Sequence, residues 1–453
     1  MDATYEGDLI AAAGIPFFVG RESASKYDNE VGAGKIYKYW DGGEAPGSTH
    51  EGDDAIQSYN YRLTLTADPA LARPVAQPAA YNRTEYLSLV GDIITGCSTA
   101  VEVKDVCPAT PGNGSAPPSL PRQPNGMARL VSLTTLPNGK WDGNNQHLGL
   151  ISTDLPEENW AYPTATWAWR DAFAARLRTY TLGLIYFAQH DEAVPAWFRR
   201  DVRAWGLAGD EYADNGHFPR QVYVREARRM HGQYVFTSKD ALPAAAGRRP
   251  PVHADSVTAS HYALDSHAVR KREPGRGLLD GMLSIKSTRP YTVPYRVIVP
   301  RQAGAPVANV WAPVPVSGSH IGFSTLRMEP CWMALGQAAG AAAAQLLADD
   351  AAGARTVYDV DVARLQATLL GQGAVLVYEP AWANLGLKER AAKELKFLAD
   401  NAVVENPIKT GNVASKPANA PSGTSAASSL AGRHWVHSVM AVAVSVAGAC
   451  LWG

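Results

Sequence analysis

The sequence predicts an α/β protein whose strands and helices alternate along one long chain. Three observations carry this. A short apolar run at 309–316 leads through the turn-forming Ser317, Gly318 and Ser319 toward a helix rich in Ala, Leu and Gln that starts near Pro330. Two helix-length stretches, 166–189 and 195–206, precede it, the first with apolar residues at helical spacing and the second ending at Trp205 and Gly206. Strand-like pieces stand at 129–136 and 293–299. With 453 residues, 46% of them hydrophobic, and a net charge of −1, the chain can bury a sizeable core, divided between two interleaved domains and a tail.

In chain order, residues 1–24 read as a strand and a helix. Within 25–300, the segment 108–124 is rich in Pro, Gly, Ser and Asn and reads as a surface loop. In the closing helix, Gly336 and Gly340 lie four apart on one face, which suits close packing against a sheet in an α/β core or against a cofactor, and the helix dipole favours negative charge at its start. A further helix is expected at 360–370, and another, with many Lys and Glu, at 380–400. No internal repeat is present.

Composition also excludes some functions. No basic excess points to nucleic acid. Cys97 and Cys107 are separated by nine residues and Cys331 and Cys450 stand alone, so neither zinc spacing nor a Cys-x-x-Cys pair exists and no metal site is expected. A Cys97–Cys107 disulfide fits an oxidising compartment. Asp210 and Glu211 are a weak carboxylate pair for glycoside chemistry, because adjacent residues do not face one cleft. The twelve Trp and nineteen Tyr suit an aromatic core or a substrate cleft.

Several ordered segments, taken together, are more telling. They are Asp2, Ala3, Thr4, Gly7, Asp8 and Leu9 with Val19 to Glu22; Asn144 and Asn145; 152–156; Tyr162 and Pro163; 219–230; 262–267; 290–296; and finally 309–347. In this order they resemble the FAD-dependent oxidoreductase family, distantly akin to fumarate reductases. The resemblance implies an FAD cofactor, a Rossmann-like FAD-binding domain and a large inserted α+β domain covering the flavin. Residues 1–24 would be a remnant of the FAD-binding domain, 25–300 the insertion, 301–350 the return to the FAD-binding domain, 351–400 C-terminal helices, 401–432 a linker and 433–453 a hydrophobic tail. The Gly-x-Gly-x-x-Gly loop that grips a dinucleotide pyrophosphate is not found: Gly32, Ala33 and Gly34 lack a third glycine and a preceding apolar strand. Tyr5 also stands where the commoner family pattern has Gly. The expectation is therefore an N-terminally truncated member that holds FAD weakly or not at all.

The resemblance further implies which residues meet the cofactor. Ser319 and His320 would lie by the isoalloxazine, Arg327 by its pyrimidine edge or the substrate, with Met328, Gln337 and Gly340 following on the helix. Thr4 and Asp8 would serve at the other end, Asp8 by contacting the ribitol or supporting the Thr4 turn. Since the redox chemistry is the flavin's, the protein needs to place a substrate and manage a proton. A helical reading puts Arg225, Arg228 and Arg229 on one face, able to grip a carboxylate or to form ion pairs with Glu226. His267, with Asp265 fixing its tautomer, is either a proton donor or a structural histidine. The function expected is hydride transfer between flavin and an unidentified small molecule; the alternative is a non-catalytic extracellular surface or binding protein derived from such an enzyme.

The far end bears on location. Residues 406–432 have linker composition, and an apolar run from 439 to 452 ends the chain. That order fits a GPI-attachment signal, or a disordered or weakly membrane-associating tail. Fourteen residues are short for a bilayer. The sequons at Asn82 and Asn113 fit a glycoprotein on a secretory route to the cell surface, with a cytoplasmic location as the alternative.

Overall fold

In the computed structural model most strands are short, and long helices carry much of the regular structure. The structure describes residues 1–39, 42–96, 125–245, 247–304, 306–349 and 355–403, and one unit spans Met1–Glu405. The helices are α1 (Asp8–Ala12), α2 (Leu87–Thr95), α3 (Trp167–His190), α4 (Ala196–Arg203), α5 (Ser238–Ala241), α6 (His320–Leu326), α7 (Glu329–Asp349), α8 (Val362–Gly371) and α9 (Leu387–Asn401). The strands are β1 (Phe17–Phe18), β2 (Leu63–Thr66), β3 (Ala72–Arg73), β4 (Val131–Leu136), β5 (Lys140–Asn145), β6 (Gly206–Ala208), β7 (Arg229–Met230), β8 (Ser256–Ser260), β9 (Leu264–Ser266), β10 (Leu283–Ile285) and β11 (Tyr291–Pro294).

One antiparallel five-stranded sheet, in the order β3-β6-β2-β5-β4, frames the first half. Its β4–β5 hairpin turns at Asn138 and Gly139, both with positive φ (63° and 68°), the twist that a tight antiparallel turn requires. Thr166 starts α3 by accepting the Trp169 N–H. Phe173, Leu177 and Leu184 of α3 then join Leu63, Leu65 and Tyr59 in one core. A second core gathers β8, β11, α6, α7 and α8, with Trp332, Leu335, Ala339 and Leu346 as the buried stripe of α7. The extended stretch 222–230 leaves the first core at Val222, Val224 and Ala227 and reaches the second at Phe236, so its polar side chains fall between the two.

Several sequence expectations change here. Residues 309–316 form no strand: Pro313 and Pro315 have no N–H to give a ladder, and the segment is tied by scattered bonds, including Ala312 N–H to the Ile298 carbonyl and Met230 N–H to the Pro315 carbonyl. The piece at 293–299 is the end of β11 followed by a 3₁₀ turn, Tyr295–Ile298. The helix at 195–206 stops at Arg203, and Gly206 opens β6. The first 24 residues hold a five-residue helix and a two-residue strand with no strand ahead of the helix. Most consequentially, 222–230 is extended rather than helical, which removes the common face proposed for Arg225, Arg228 and Arg229. Tertiary pairing decides this, since Tyr223 bridges Asn60 and Arg229 pairs with Phe18.

Helices at 167–190, 362–371 and 387–401 agree with the reading from spacing. Cys97, Cys107, Asn113 and the tail from 404 lie outside the described residues, whereas Asn82 is exposed and caps a 3₁₀ turn at Arg83–Tyr86. Among the described residues no helix is long and apolar enough to cross a membrane, and no group of His, Cys, Asp and Glu could hold a metal ion.

Candidate functional site

The start of α6 is fixed by Ser319, whose Oγ accepts the Gly322 N–H at 2.9 Å and donates to Glu30 Oε1 at 2.5 Å. His320 therefore sits in the first turn of a helix with its own N–H on Glu22 Oε2, 2.8 Å away. Its ring is held on both sides. Nδ1 lies 3.1 and 2.9 Å from the two carboxylate oxygens of Glu226, and Nε2 lies 3.2 Å from Ser266 Oγ. Glu226 in turn pairs with Arg229 Nε at 3.0 Å, both side chains being fully buried. Arg229 also reaches Glu22 at 3.1 Å and donates to the Gly318 carbonyl at 2.8 Å. Burial alone would raise the Glu226 carboxyl, but the nearby His320 and Arg229 outweigh it and hold it below its usual range. Glu30 has no such cation. Burial pushes it up to about 7, despite the hydrogen bonds from Ser319 and Ser238.

Arg327, at the C-cap of α6, opens a second network. It donates to Asp265 Oδ2 at 2.8 Å, to the Asp265 carbonyl at 3.0 Å and to the Tyr223 hydroxyl at 3.1 Å. Tyr262 donates its hydroxyl to the same Asp265 oxygen at 2.9 Å. His267, just past β9, stands between two carboxylates, with Nδ1 2.9 Å from Asp154 and Nε2 3.6 Å from Asp265. Arg225 closes the far side at 2.7 Å from Asp154, and also donates to Asn60 at 2.8 Å and Asn145 at 3.1 Å. The result is a continuous line, Arg225, Asp154, His267, Asp265, Arg327, Tyr223. Burial opposes charge on Asp265, yet His267 and Arg327 hold its carboxyl far below the usual range; Asp154 is lowered against burial by Arg225 and His267. Asp265 keeps 15% of its side chain exposed, while the Arg327 and Asp154 side chains keep 2% and 5%, so this line meets solvent at Asp265.

Around that exposed point the surface stays open. Tyr5, Tyr223, Met328 and Glu329 are half-buried and Pro330 is exposed, where α7 begins two residues beyond Arg327. A family model described as FAD dependent oxidoreductase matches residues 1–369. The chain belongs to this FAD-dependent oxidoreductase family. No curated protein and no solved structure matches it.

The family's cofactor is FAD. Arg327 Nε is buried without a hydrogen-bond partner among the described residues, and the guanidinium adjoins the N-terminus of the 21-residue α7. A fixed cation beside a helix N-terminus suits an electron-rich ring edge. Glu329 in the first turn of α7 works against this charge, and together with burial and Tyr223 it keeps the Tyr5 hydroxyl protonated, pushed up to about 12. No Gly-x-Gly-x-x-Gly run occurs in the sequence.

The sequence-derived residues divide accordingly. Arg327, His267 and Arg225 meet in the second network; Ser319, His320 and Arg229 form the first, with both ring nitrogens of His320 engaged by protein. Arg228 goes elsewhere, to Asp8, which also receives Arg170 at 2.6 and 3.0 Å. Asp8 thus does not support the Thr4 turn. That task belongs to Asp2, whose Oδ1 accepts the Thr4 hydroxyl at 2.7 Å and whose Oδ2 accepts the Ile10 N–H at 2.9 Å. Met328 links α6 to α7 at the open surface. Gln337 is exposed on α7 and bonds Gln372 at 2.9 Å, and a Cβ added at Gly340 or Gly336 would meet nothing within 4 Å, so neither glycine serves close packing against the described residues. The sequence reading missed the carboxylates Asp154, Glu22 and Glu30. Asp154 and Glu22 lie inside segments that carried the resemblance, and the need of each buried guanidinium for a carboxylate was the available signal.

Proposed function

We propose that this family member transfers hydride between flavin and a small organic molecule at the open surface around Arg327, Asp265 and Tyr223. The observation that carries this reading is the Arg327 guanidinium at the start of α7, paired with Asp265 where the charge line meets solvent. Bound FAD supplies the hydride donor and acceptor. The chain's own residues then have defined tasks. Arg327 provides positive charge where negative charge collects, and Asp265 and Tyr223 keep it in place. His267, held between Asp154 and Asp265, is the group placed to exchange a proton near the point where the line meets solvent, and Tyr262 helps to fix Asp265 beside it. Arg225 keeps Asp154 ionised so that His267 stays oriented. His320 and Arg229 position this layer from beneath rather than touch the cofactor.

In the absence of a Gly-x-Gly-x-x-Gly loop, we propose that these residues recognise the flavin ring and add little for the pyrophosphate, so FAD is held weakly. Titration of the 453-residue protein with FAD and with riboflavin, followed by quenching of flavin fluorescence, tests this. Dissociation constants within about threefold of each other are expected, since each tenfold corresponds to about 1.4 kcal/mol of extra contact. A hundredfold preference for FAD would place a pyrophosphate site in this chain and overturn the ring-only reading. Absence of binding by either flavin would overturn the site.

A further inference from the structure

Another part of the surface gathers cations without matching acids. Beyond β7 the chain stays extended, Gly232 forms an antiparallel bridge with Pro300, and Arg301 donates its N–H to the His231 carbonyl at 2.9 Å. His231 and Arg301 therefore stand directly opposite each other on neighbouring strands, the position at which like charges repel most. His231 also packs on Phe18 of β1, with ring centroids 4.6 Å apart, and Lys26 Nζ stands 4.6 Å from the centre of that same Phe18 ring.

None of the three groups has an acid of its own. Among the described residues, Arg301 and Lys26 make no ion pair and no side-chain hydrogen bond, and the His231 ring makes no hydrogen bond. Ala305, which lies outside that set in the Arg301 stretch, carries no charge. Glu22 and Glu30 act on Lys26 electrostatically, but both are committed elsewhere. Glu22 holds Arg229 at 3.1 Å and the His320 N–H at 2.8 Å, and Glu30 holds Ser319 at 2.5 Å and the Ser238 N–H at 2.8 Å. His231 feels the imbalance: burial first, then Arg301 and Lys26, hold its imidazole below the ordinary range. Single exposed cations are ordinary on a protein surface, whereas three gathered around one ring and one cross-strand pair leave a charge that an anion would settle.

Beside Arg301 opens a cleft of about 660 Å³, lined by Gln233, Arg296, Arg301, Gln302 and Ala303. Arg296 is taken by Asp255 at 2.9 Å, so Arg301 and the two glutamine amides are what the cleft offers a polar guest. We infer that Arg301, His231 and Lys26 bind the phosphate group of a small, soluble phosphate monoester whose remaining polar atoms lie in this cleft. A guanidinium, an imidazolium and an ammonium suit a dianion with three acceptor oxygens better than a carboxylate with a single charge. No residue of this site belongs to the surface around Arg327, so the inference goes beyond the flavin reading and does not depend on it.

The test uses the full 453-residue protein at pH 7 in about 0.15 M salt, where attraction between exposed charges is screened beyond about 8 Å. The ring signal of His231 is followed by NMR and assigned by its loss in His231→Gln, with glucose 6-phosphate, glucose and acetate as probes. Glucose 6-phosphate should move the signal saturably toward its imidazolium position, and glucose and acetate should not. Arg301→Gln should weaken this binding by about tenfold and Lys26→Gln by about threefold, each without lowering the melting temperature, since each removes a repulsion. The inference is overturned if glucose 6-phosphate does not saturate, if acetate moves the signal as far, or if Arg301→Gln binds with unaltered affinity. It is equally overturned if Arg301→Gln melts several degrees lower, which marks a structural cation, or if phosphatidic acid vesicles bind the protein and glucose 6-phosphate does not displace them.

Discussion

Two buried charge networks lie side by side beneath α6, built from the same residue types, and they differ in one respect. Around Arg229, Glu226, His320 and Glu22, the side chains are enclosed and engaged by protein: both His320 ring nitrogens are taken, and Arg229 meets two carboxylates. Around Arg327, Asp265, His267 and Asp154, the line ends at a partly exposed carboxylate, Asp265. The first arrangement fixes where α6 and the 222–230 stretch meet. The second is reachable. An arginine, a histidine and a carboxylate in contact therefore do not identify a reactive site; a line of them that ends at a partly exposed carboxylate marks the one a ligand can reach.

The contrast can be broken most strongly at Arg229. Arg229→Leu leaves Glu22 and Glu226 buried without their cation, and urea unfolding should show a loss of about 3–5 kcal/mol. Glu30→Gln sharpens the contrast through pH. The folded carboxyl titrates near 7, above its ordinary 4.5, so its favourable contribution is complete below pH 4.5 and is lost as pH rises through 7. Gln mimics the protonated form. Relative to the unaltered protein, Glu30→Gln should gain about 3 kcal/mol between pH 4 and pH 8, measured by denaturation at each pH. Arg327→Gln should cost less than Arg229→Leu, about 1–2 kcal/mol, because Asp265 keeps Tyr262 and access to water. At the small end, Gln337→Ala should leave both stability and flavin binding within about 0.5 kcal/mol, as expected of a surface side chain.

Much of the scaffold was legible from spacing alone. The helices at 167–190, 362–371 and 387–401 have apolar stripes that need no partner to be recognised, and Thr166 caps the first as its position suggests. Where the reading failed, distant partners decided the outcome. The 222–230 stretch has helical composition, but Asn60 and Phe18 pull it straight. Residues 309–316 look like a strand until the two prolines are counted. In the site, Arg327, His267 and His320 were legible because their segments resemble the family, whereas the carboxylates that orient them were harder to find. Ser319 and Glu30 are 289 positions apart, and Arg225 and Asp154 are 71, separations that no local pattern encodes. Asp8 lies in a resembling segment, and its partners Arg170 and Arg228 are likewise 162 and 220 positions away.

The claim that the open network, and not the enclosed one, faces the flavin is tested most directly by the reduction potential of bound flavin. The protein loaded with excess riboflavin and its Arg327→Gln variant are titrated against a reference dye under anaerobic conditions. Loss of a cation that favours the reduced, anionic ring should lower the two-electron potential by roughly 30–60 mV, where about 30 mV corresponds to 1.4 kcal/mol. An unchanged potential in Arg327→Gln with riboflavin still bound would contradict the account.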